Sequence, residues 1–205
     1  MDENDRLHLL LRRGEEEHIK NLYEKGILRI NTISCVRNCG KNFERSDSDD
    51  CLMYRLGDSY LSGNILCFYG VYNRHLNLAK DCFEVEIESF GEWLIFIHSP
   101  STFIQRVDSA LKRSGYRNFI HNKVNYYKND YLGEVGAFRK RDRFEHQSEF
   151  RFYIDNKSNQ MIEINVGSLK DIAEIKQDIM IKISLTDGSN KILTVKQKKD
   201  ESTNR

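Results

Sequence analysis

The chain has 205 residues, of which 39% are hydrophobic and 31% are charged. Its 32 Lys and Arg residues against 31 Asp and Glu residues give a net charge of +1, which excludes a protein-wide field that would drive nucleic-acid binding. The length predicts one domain with a sizeable core. No apolar run is long enough to span a membrane, so no membrane partner is expected.

Cysteine usage and the N-terminus predict a cytoplasmic protein. The N-terminus is acidic and lacks the apolar segment of a signal peptide, and the five cysteines are an odd number, so we expect reduced thiols. Cys35, Cys39 and Cys51 invite a zinc site. Their spacing is poor and no nearby histidine completes the set, so structural thiols are favoured and no metal is expected.

The first elements along the chain predict a strand, a helix and a second strand. Residues 6–11 form an apolar run typical of a short strand. Gly14 and the acidic run 15–17 then mark the start of a helix, because carboxylates favour its positive N-terminal end. Gly26 ends this helix, and residues 27–33 predict the second strand.

The rest of the chain predicts more strands than helices. Residues 34–50 are rich in turn formers and predict a loop. The later predictions, in chain order, are strands at 66–72, 82–87 and 93–97, a helix at 102–114, a strand at 124–127, a loop at 129–136, strands at 147–154 and 161–166, a short helix at 167–172, and strands at 179–185 and 192–195 around an Asp187-Gly188 turn. This predicts an α+β fold with mixed or antiparallel sheets, in a single domain over residues 1–196 followed by a disordered charged tail at 197–205.

The strand at 147–154 carries the most informative pattern. Its alternation predicts an apolar face and a polar face that presents Gln147, Glu149 and Arg151. A carboxylate fixed on a strand, with an amide and guanidiniums beside it, is able to stabilise a developing cation or hold a sugar hydroxyl. The alternative is that this polar face is simply exposed to solvent.

The strand–helix–strand opening followed by a late strand with Gln-x-Glu resembles the ADP-ribosyltransferase fold. In that family the last Glu of a (Gln/Glu)-x-Glu pair holds the nicotinamide-ribose hydroxyl of NAD. The resemblance implies that NAD is the co-substrate and Glu149 the catalytic glutamate, and that Gln147 contacts the substrate or positions the acceptor. The positively charged nicotinamide leaves without an acid, while a fixed carboxylate stabilises the oxocarbenium character of the ribose.

The same resemblance implies cofactor-binding residues on the first two strands. Family members offer an Arg or His from the first strand, which points to Arg6 or His8, although other arginines compete. They offer a Ser, Thr or Tyr from the second strand, which points to Thr32 or Ser34 in the nicotinamide pocket. We add Arg45 to this set, from a polar loop motif.

The chain is also similar to a group of uncharacterised bacterial and phage proteins. The shared pattern covers Gly26 to Asn31, an Arg-x-Asp loop from Arg45 to Asp50, Phe138 to Lys140, and Gln147 to Arg151. This similarity implies no activity. Polar motifs far apart in sequence nevertheless indicate one shared site.

A local basic patch over residues 139–151 predicts an acceptor-binding surface. It holds five Arg or Lys against three Asp or Glu, with aromatic residues among them. Phosphates need cations and unstacked bases need aromatic faces, which favours RNA or DNA as the acceptor over a protein side chain. The predicted acceptor-binding residues are Phe138, Arg139, Lys140, Arg143 and Arg151.

The leading hypothesis is therefore a cytoplasmic NAD-dependent ADP-ribosyltransferase of the toxin or phage-defence kind. The main alternative is a non-enzymatic phage or mobile-element protein that acts as an inhibitor, or an antitoxin-like partner. A third hypothesis is a metal-dependent nuclease that uses Asp47, Asp50 and Glu149. The chain contains no Gly-rich phosphate loop, His-Glu-x-x-His or Gly-x-Ser-x-Gly, which argues against nucleotide kinases, zincins and α/β-hydrolases.

Overall fold

The fold is α+β, with strand pairing that is mostly antiparallel, as the sequence predicts. The computed structural model describes residues 3–38, 49–55, 57–78, 82–87, 91–158, 160–177, 180–184 and 190–197. The strands in these ranges are β1 Leu7–Gly14, β2 Ile27–Thr32, β3 Asn64–Tyr72, β4 Cys82–Ile87, β5 Trp93–Ile97, β6 Phe119–Lys123, β7 Asn125–Tyr127, β8 Arg139–Arg141, β9 Glu149–Ile154, β10 Ile162–Asn165, β11 Ala173–Lys176, β12 Met180–Ser184 and β13 Asn190–Gln197. The α-helices are α1 Glu16–Lys20, α2 Ile33–Asn38, α3 Asn73–Leu78 and α4 Pro100–Arg113, with a π-helical turn at Asn21–Lys25 and 3₁₀ turns at Glu3–Asp5 and Asp142–Gln147.

The chain divides into two compact units. The first comprises Met1–Gly26, Tyr69–Phe103 and Ser168–Arg205, and the second comprises Ile27–Phe68 and Ile104–Gly167. In the first unit, β1 pairs antiparallel with the end of β3 on one side and with β5 on the other, and β11 follows β5. A smaller sheet has the order β12-β13-β4, in which β13 and β4 run parallel.

Alternation along the strands builds the core of the first unit. Side chains two residues apart share a face of a strand, which groups Leu9 with Leu11 on β1 and Leu94 with Phe96 on β5. The members of this core cluster are Leu9, Leu11, Val71, Leu76, Val85, Leu94, Phe96, Leu193 and Val195.

The second unit holds a sheet with the order β10-β2-β3-β9-β6. Strand β9 lies inside this sheet between β3 and β6, and five of its six residues are buried. Its Phe150 and Phe152 share a face on which they contact each other and the ring of His121 on β6. The other face of β9 carries Glu149 and Arg151, and both are buried as well.

A short parallel pair, β7 and β8, completes the second unit. The register pairs Asn125 with Arg139, Tyr126 with Lys140 and Tyr127 with Arg141. Tyrosines of one strand therefore lie beside cations of the other.

Several sequence predictions of elements are confirmed. The opening order of strand, helix and strand is present, and Gly26 ends the helical segment with a left-handed φ of 70°. Strands β4 and β5 and helix α4 lie where predicted, and β12 and β13 pair antiparallel. The Asp187-Gly188 turn and residues 198–205 of the predicted tail lie outside the described residues.

Other predictions are wrong. The predicted loop at 34–50 begins with helix α2, because the Thr32 hydroxyl accepts a hydrogen bond from the Cys35 N–H at 3.1 Å and caps the helix. Residues 39–48 of that predicted loop lie outside the described residues. The predicted helix at 167–172 is a turn that leads into β11, which the sequence did not predict. Gln147 is not part of β9, because it ends a 3₁₀ turn and Ser148 takes a left-handed conformation before the strand begins.

Candidate functional site

Arg151 is the centre of a buried network of charged side chains in the second unit. It is 1% exposed, and its Nε donates to Glu149 Oε2 at 2.6 Å. Its Nη1 and Nη2 donate to the two carboxylate oxygens of Asp50 at 2.7 and 2.8 Å, and Nη1 also donates to the Ala137 carbonyl at 2.9 Å. The planar fork of one guanidinium thus holds two carboxylates in fixed positions.

Lys140 supplies the second cation of the network. Its Nζ donates to Glu149 Oε1 at 2.8 Å and to Gln147 Oε1 at 2.6 Å, and it lies 3.5 Å from Asp50 Oδ2. Gln147 and Glu149 therefore meet at one ammonium group, although only Glu149 is on the strand. The prediction that strand alternation would place this pair on one face is wrong, because Gln147 precedes β9. The ammonium of Lys140 on β8 brings the two side chains together instead.

Asp49, next to Asp50 in the chain, forms a second cluster with two further arginines. Its Oδ2 accepts from Arg141 Nε and Nη2 at 2.9 and 2.7 Å and lies 2.9 Å from Arg55 Nη1. The Tyr127 hydroxyl donates to the same oxygen at 3.5 Å. We call these two neighbouring clusters together the charge network, and its members are Asp49, Asp50, Arg55, Lys140, Arg141, Glu149 and Arg151.

The network keeps its carboxylates ionised. Burial by itself would raise the pKa of Glu149, but the charges of Arg151 and Lys140 outweigh it and hold that pKa well below its usual range. For Asp50 as well, burial would raise the pKa, but the charges of Arg151 and Lys140 lower it. Burial would lower the pKa of Lys140, yet Glu149 and Asp50 raise it above its usual value. Glu149 is therefore a carboxylate and Lys140 an ammonium across the physiological range of pH.

Backbone strain borders the network on both acidic segments. In the described part of the chain, Cys51 with φ 61° and Ser148 with φ 40° are the non-glycine residues in the left-handed region. Cys51 directly follows Asp50, and Ser148 directly precedes Glu149. Such residues are costly and persist where the surrounding structure fixes them, which is common at functional sites. Each of the two carboxylates, Asp50 and Glu149, thus lies next to a residue with a strained backbone conformation.

An open groove of about 680 Å³ lies beside the network, and we call it the tyrosine groove. Its walls include Asn125, Tyr126, Tyr127, Lys128, Tyr131 and Arg139. Tyr126 links the groove to the network, because its hydroxyl accepts the Glu149 N–H at 2.9 Å. Burial and the neighbouring Glu149 charge raise the pKa of Tyr126, so the hydroxyl stays protonated.

The predicted cofactor-binding residues lie in different parts of the chain. Arg6 is exposed, and His8 is half-buried with its Nε2 3.3 Å from Asn73 Oδ1. Both residues belong to the first unit, whereas Glu149 belongs to the second. Thr32 is buried as the cap of α2, and its hydroxyl is 3.1 Å from that of Ser34, which is exposed. Arg45 lies outside the described residues.

The predicted acceptor-binding residues separate into two groups. Lys140 and Arg151 are buried and form ion pairs with the carboxylates of the network. Arg139 lines the tyrosine groove, Phe138 is half-buried beside it in sequence, and Arg143 is exposed on the 3₁₀ turn. The surface cations at this site are thus fewer than the sequence pattern indicates.

Sequence reasoning missed several residues of the site. Asp49 and Asp50 belong to the polar loop motif that the sequence places in one site with residues 147–151, and in the structure Asp50 contacts Arg151 and Lys140. The residues that the sequence left without a role of their own are Arg55 and Arg141. The available signal was the charge balance: a strand with buried apolar neighbours that also carries Arg must find carboxylates elsewhere in the chain.

The described residues contain no arrangement of side chains that supports the metal-dependent nuclease hypothesis. Among them, no group of three or more His, Cys, Asp or Glu side chains is placed to hold a metal ion. Asp47 and Cys39 lie outside those residues. Asp50 and Glu149 accept hydrogen bonds from Arg151, so a cation bound between them would have to displace a buried guanidinium.

Comparison of the chain with models of known protein families, with curated proteins and with solved structures gave no match. Within the ranges that the structure describes, no helix has the length and apolar character needed to cross a membrane.

Proposed function

We propose that the protein is an NAD-dependent ADP-ribosyltransferase in which Glu149 is the catalytic carboxylate, in a toxin or phage-defence role. The observation that carries the proposal is the geometry around Glu149: its two carboxylate oxygens accept from Arg151 and Lys140, and Lys140 also donates to Gln147. Preorganised charge of this kind stabilises a developing cation without reorganisation at the moment of reaction.

The reaction transfers ADP-ribose from NAD to a nucleophile. The bond between the ribose C1′ and the nicotinamide nitrogen breaks, and its electron pair leaves with nicotinamide, which becomes neutral. The ribose takes on oxocarbenium character, and Glu149 opposes that charge or holds a ribose hydroxyl. The acceptor nucleophile attacks C1′ and gives up its proton to solvent.

Glu149 retains the capacity to contact a sugar hydroxyl while its ion pairs stay intact. An ionised carboxylate has about four lone-pair positions. The bonds to Arg151 and Lys140 use one position on each oxygen. A ribose hydroxyl would thus add a hydrogen bond rather than replace one, provided that it reaches a side chain that is 8% exposed.

The test is incubation of the pure protein with NAD labelled in the adenylate part, together with mixed RNA, DNA and protein. Label is expected on an acceptor, with release of nicotinamide. Glu149→Gln removes the charge at constant shape and is expected to lower the rate by about 10²–10³-fold, as loss of a preorganised group does elsewhere. Glu163→Gln is the matched control, since Glu163 is half-exposed on β10 and pairs with Arg29.

Because Glu149 is buried, each variant must first be shown to be folded by far-UV circular dichroism at the assay temperature. If folded Glu149→Gln transfers label as fast as wild type, Glu149 is not the catalytic carboxylate. If wild type releases no nicotinamide with any acceptor, the transferase proposal fails.

A non-enzymatic binding protein is the second candidate. The pairing of every carboxylate in the network with two cations favours it, because these contacts would then serve only to hold residues 49–50, β8 and β9 together. Exposed Tyr54 and Leu132, 59% and 74% accessible, would then offer contact surface. The buried position of β9 disfavours the form of this hypothesis in which that strand itself grips a partner.

A further inference from the structure

The tyrosine groove has walls that are fixed before any ligand binds. The Tyr131 hydroxyl donates to the Glu134 carbonyl at 2.7 Å, and the Tyr127 hydroxyl donates to Asp49 at 3.5 Å. The rings of Tyr127 and Tyr131 lie 5.1 Å apart between centroids, at 38° to each other. Tyr127 is 7% exposed and supports the Tyr131 ring from behind, so Tyr131 is the ring of this pair on which a flat ligand packs. A tyrosine held at both ring and hydroxyl loses little conformational entropy when a ligand packs on it.

The polar groups of the groove are those that recognise an anion and a polar ring edge. Arg139 lies with its guanidinium carbon 5.8 Å from the centre of the Tyr131 ring, and its Nη1 donates to the Glu134 carbonyl at 3.1 Å. Lys128 and Asp130 are both exposed and both line the groove. The exposed amide of Asn125 offers both a donor and an acceptor.

A ligand suited to this lining has a flat face, a polar edge and a negative charge for the cations Arg139 and Lys128. An unpaired nucleobase with its phosphate has all three properties, and base stacking on aromatic side chains does not depend on base identity. The bases of a duplex are stacked and paired, so their faces are not available to the rings. The volume of about 680 Å³ is in the usual range for ligand sites, about 300–1,000 Å³.

We propose that the tyrosine groove binds an unpaired nucleobase and its phosphate in single-stranded nucleic acid, and that this base is the acceptor for ADP-ribose. Tyr126 connects the groove to the Glu149 backbone, which brings a base in the groove close to the network. The identity of the acceptor rests on the proposed transferase function, but binding of the single strand does not.

The test is fluorescence anisotropy without NAD, with labelled DNA or RNA of about 20 nucleotides that is either single-stranded or duplex. We expect the single strand to bind at least about 10-fold more tightly than the duplex. Tyr131→Leu should weaken single-strand binding about 5- to 100-fold through loss of stacking, whereas Tyr131→Phe keeps the ring and should stay within about 2-fold. Arg139→Gln should reduce the slope of log affinity against log salt by about 0.7, the share of one phosphate contact on a single strand.

Arg117→Ala is the matched control, because Arg117 is an exposed arginine of the same unit that does not line the groove. Equal binding of duplex and single strand, or unchanged binding by Tyr131→Leu, overturns the proposal, and so does label found on protein with none on oligonucleotide. Nicotinamide release with water as the acceptor needs no oligonucleotide. Nicotinamide release without oligonucleotide binding therefore removes the nucleic-acid acceptor and leaves intact the proposed role of Glu149 in cleaving NAD.

Discussion

Removal of Arg151 is expected to destabilise the second unit more than removal of any surface arginine. Arg151→Met keeps the length and apolar character of the stem but leaves Asp50 and Glu149 buried, with Lys140 as the nearest remaining cation. Breaking a buried ion pair from one side costs about 3–5 kcal/mol, because a charge stays in the interior without its partner. This is a large part of the roughly 5–15 kcal/mol by which natural domains are stable.

The chain offers a matched surface control for this prediction. Arg29 donates to Glu163 at 3.0 Å, and both side chains are 49% exposed. An exposed pair of this kind contributes about 0–1 kcal/mol. Arg29→Met thus removes the same chemical group from an ion pair of similar length in the same unit.

The assay is urea unfolding followed by far-UV circular dichroism, which reports on both units. The single tryptophan, Trp93, lies in the first unit, so its fluorescence gives a separate reading of that unit. With a slope of about 2–3 kcal/mol per molar urea, a loss of about 3–5 kcal/mol lowers the midpoint by roughly 1–2 M. Arg151→Lys should fall between wild type and Arg151→Met, because it keeps the charge and loses the planar fork. The reasoning is refuted if Arg151→Met lowers the midpoint no further than Arg29→Met does.

Three further predictions concern pH and backbone strain. The pKa values of Glu149 and Asp50 are lowered in the folded protein, so the stability they contribute is present near neutral pH and is lost as pH falls below about 4. In that range, Glu149→Gln should reduce the slope of the free energy of unfolding against pH, measured in urea, by up to about 1.4 kcal/mol per pH unit. Ser148→Gly should retain about 1 kcal/mol more stability in urea than Ser148→Ala, because glycine adopts a φ of 40° without the Cβ clash, and the opposite order would contradict the left-handed conformation. Gly63→Ala should lower the thermal unfolding midpoint more than Gly115→Ala does. Both glycines have a positive φ, but a Cβ at Gly63 would lie 2.4 Å from the Ile154 carbonyl oxygen, whereas a Cβ at Gly115 meets nothing within 4 Å. Equal shifts would contradict the close packing at Gly63.

The sequence predicted strand β9 and the shared face of Glu149 and Arg151, because alternation is a local property of the chain. It did not predict that this face is buried. A polar face exposed to water and a polar face filled by ion pairs have the same alternation. What distinguishes them is the position of Asp50, 101 residues before Arg151, which only the tertiary fold brings into contact.

The tyrosine groove was less accessible to sequence reasoning for a similar reason. Strands β7 and β8 have three residues each, too few for a periodic signal, and their pairing is parallel. The sequence predicts a strand that includes Tyr126 and Tyr127 but not the strand with which it pairs. The pairing of Tyr126 with Lys140 and of Tyr127 with Arg141 is what joins the rings to the charge network.

The central claim is that Glu149 acts chemically on NAD, and nicotinamide release measures it most directly. Folded wild type, Glu149→Gln and Glu163→Gln are compared at equal concentration with NAD and single-stranded nucleic acid. The account predicts that wild type and Glu163→Gln release nicotinamide at similar rates and that Glu149→Gln is slower by about 10²-fold or more. Equal rates for all three proteins, or no release by any of them, would contradict it.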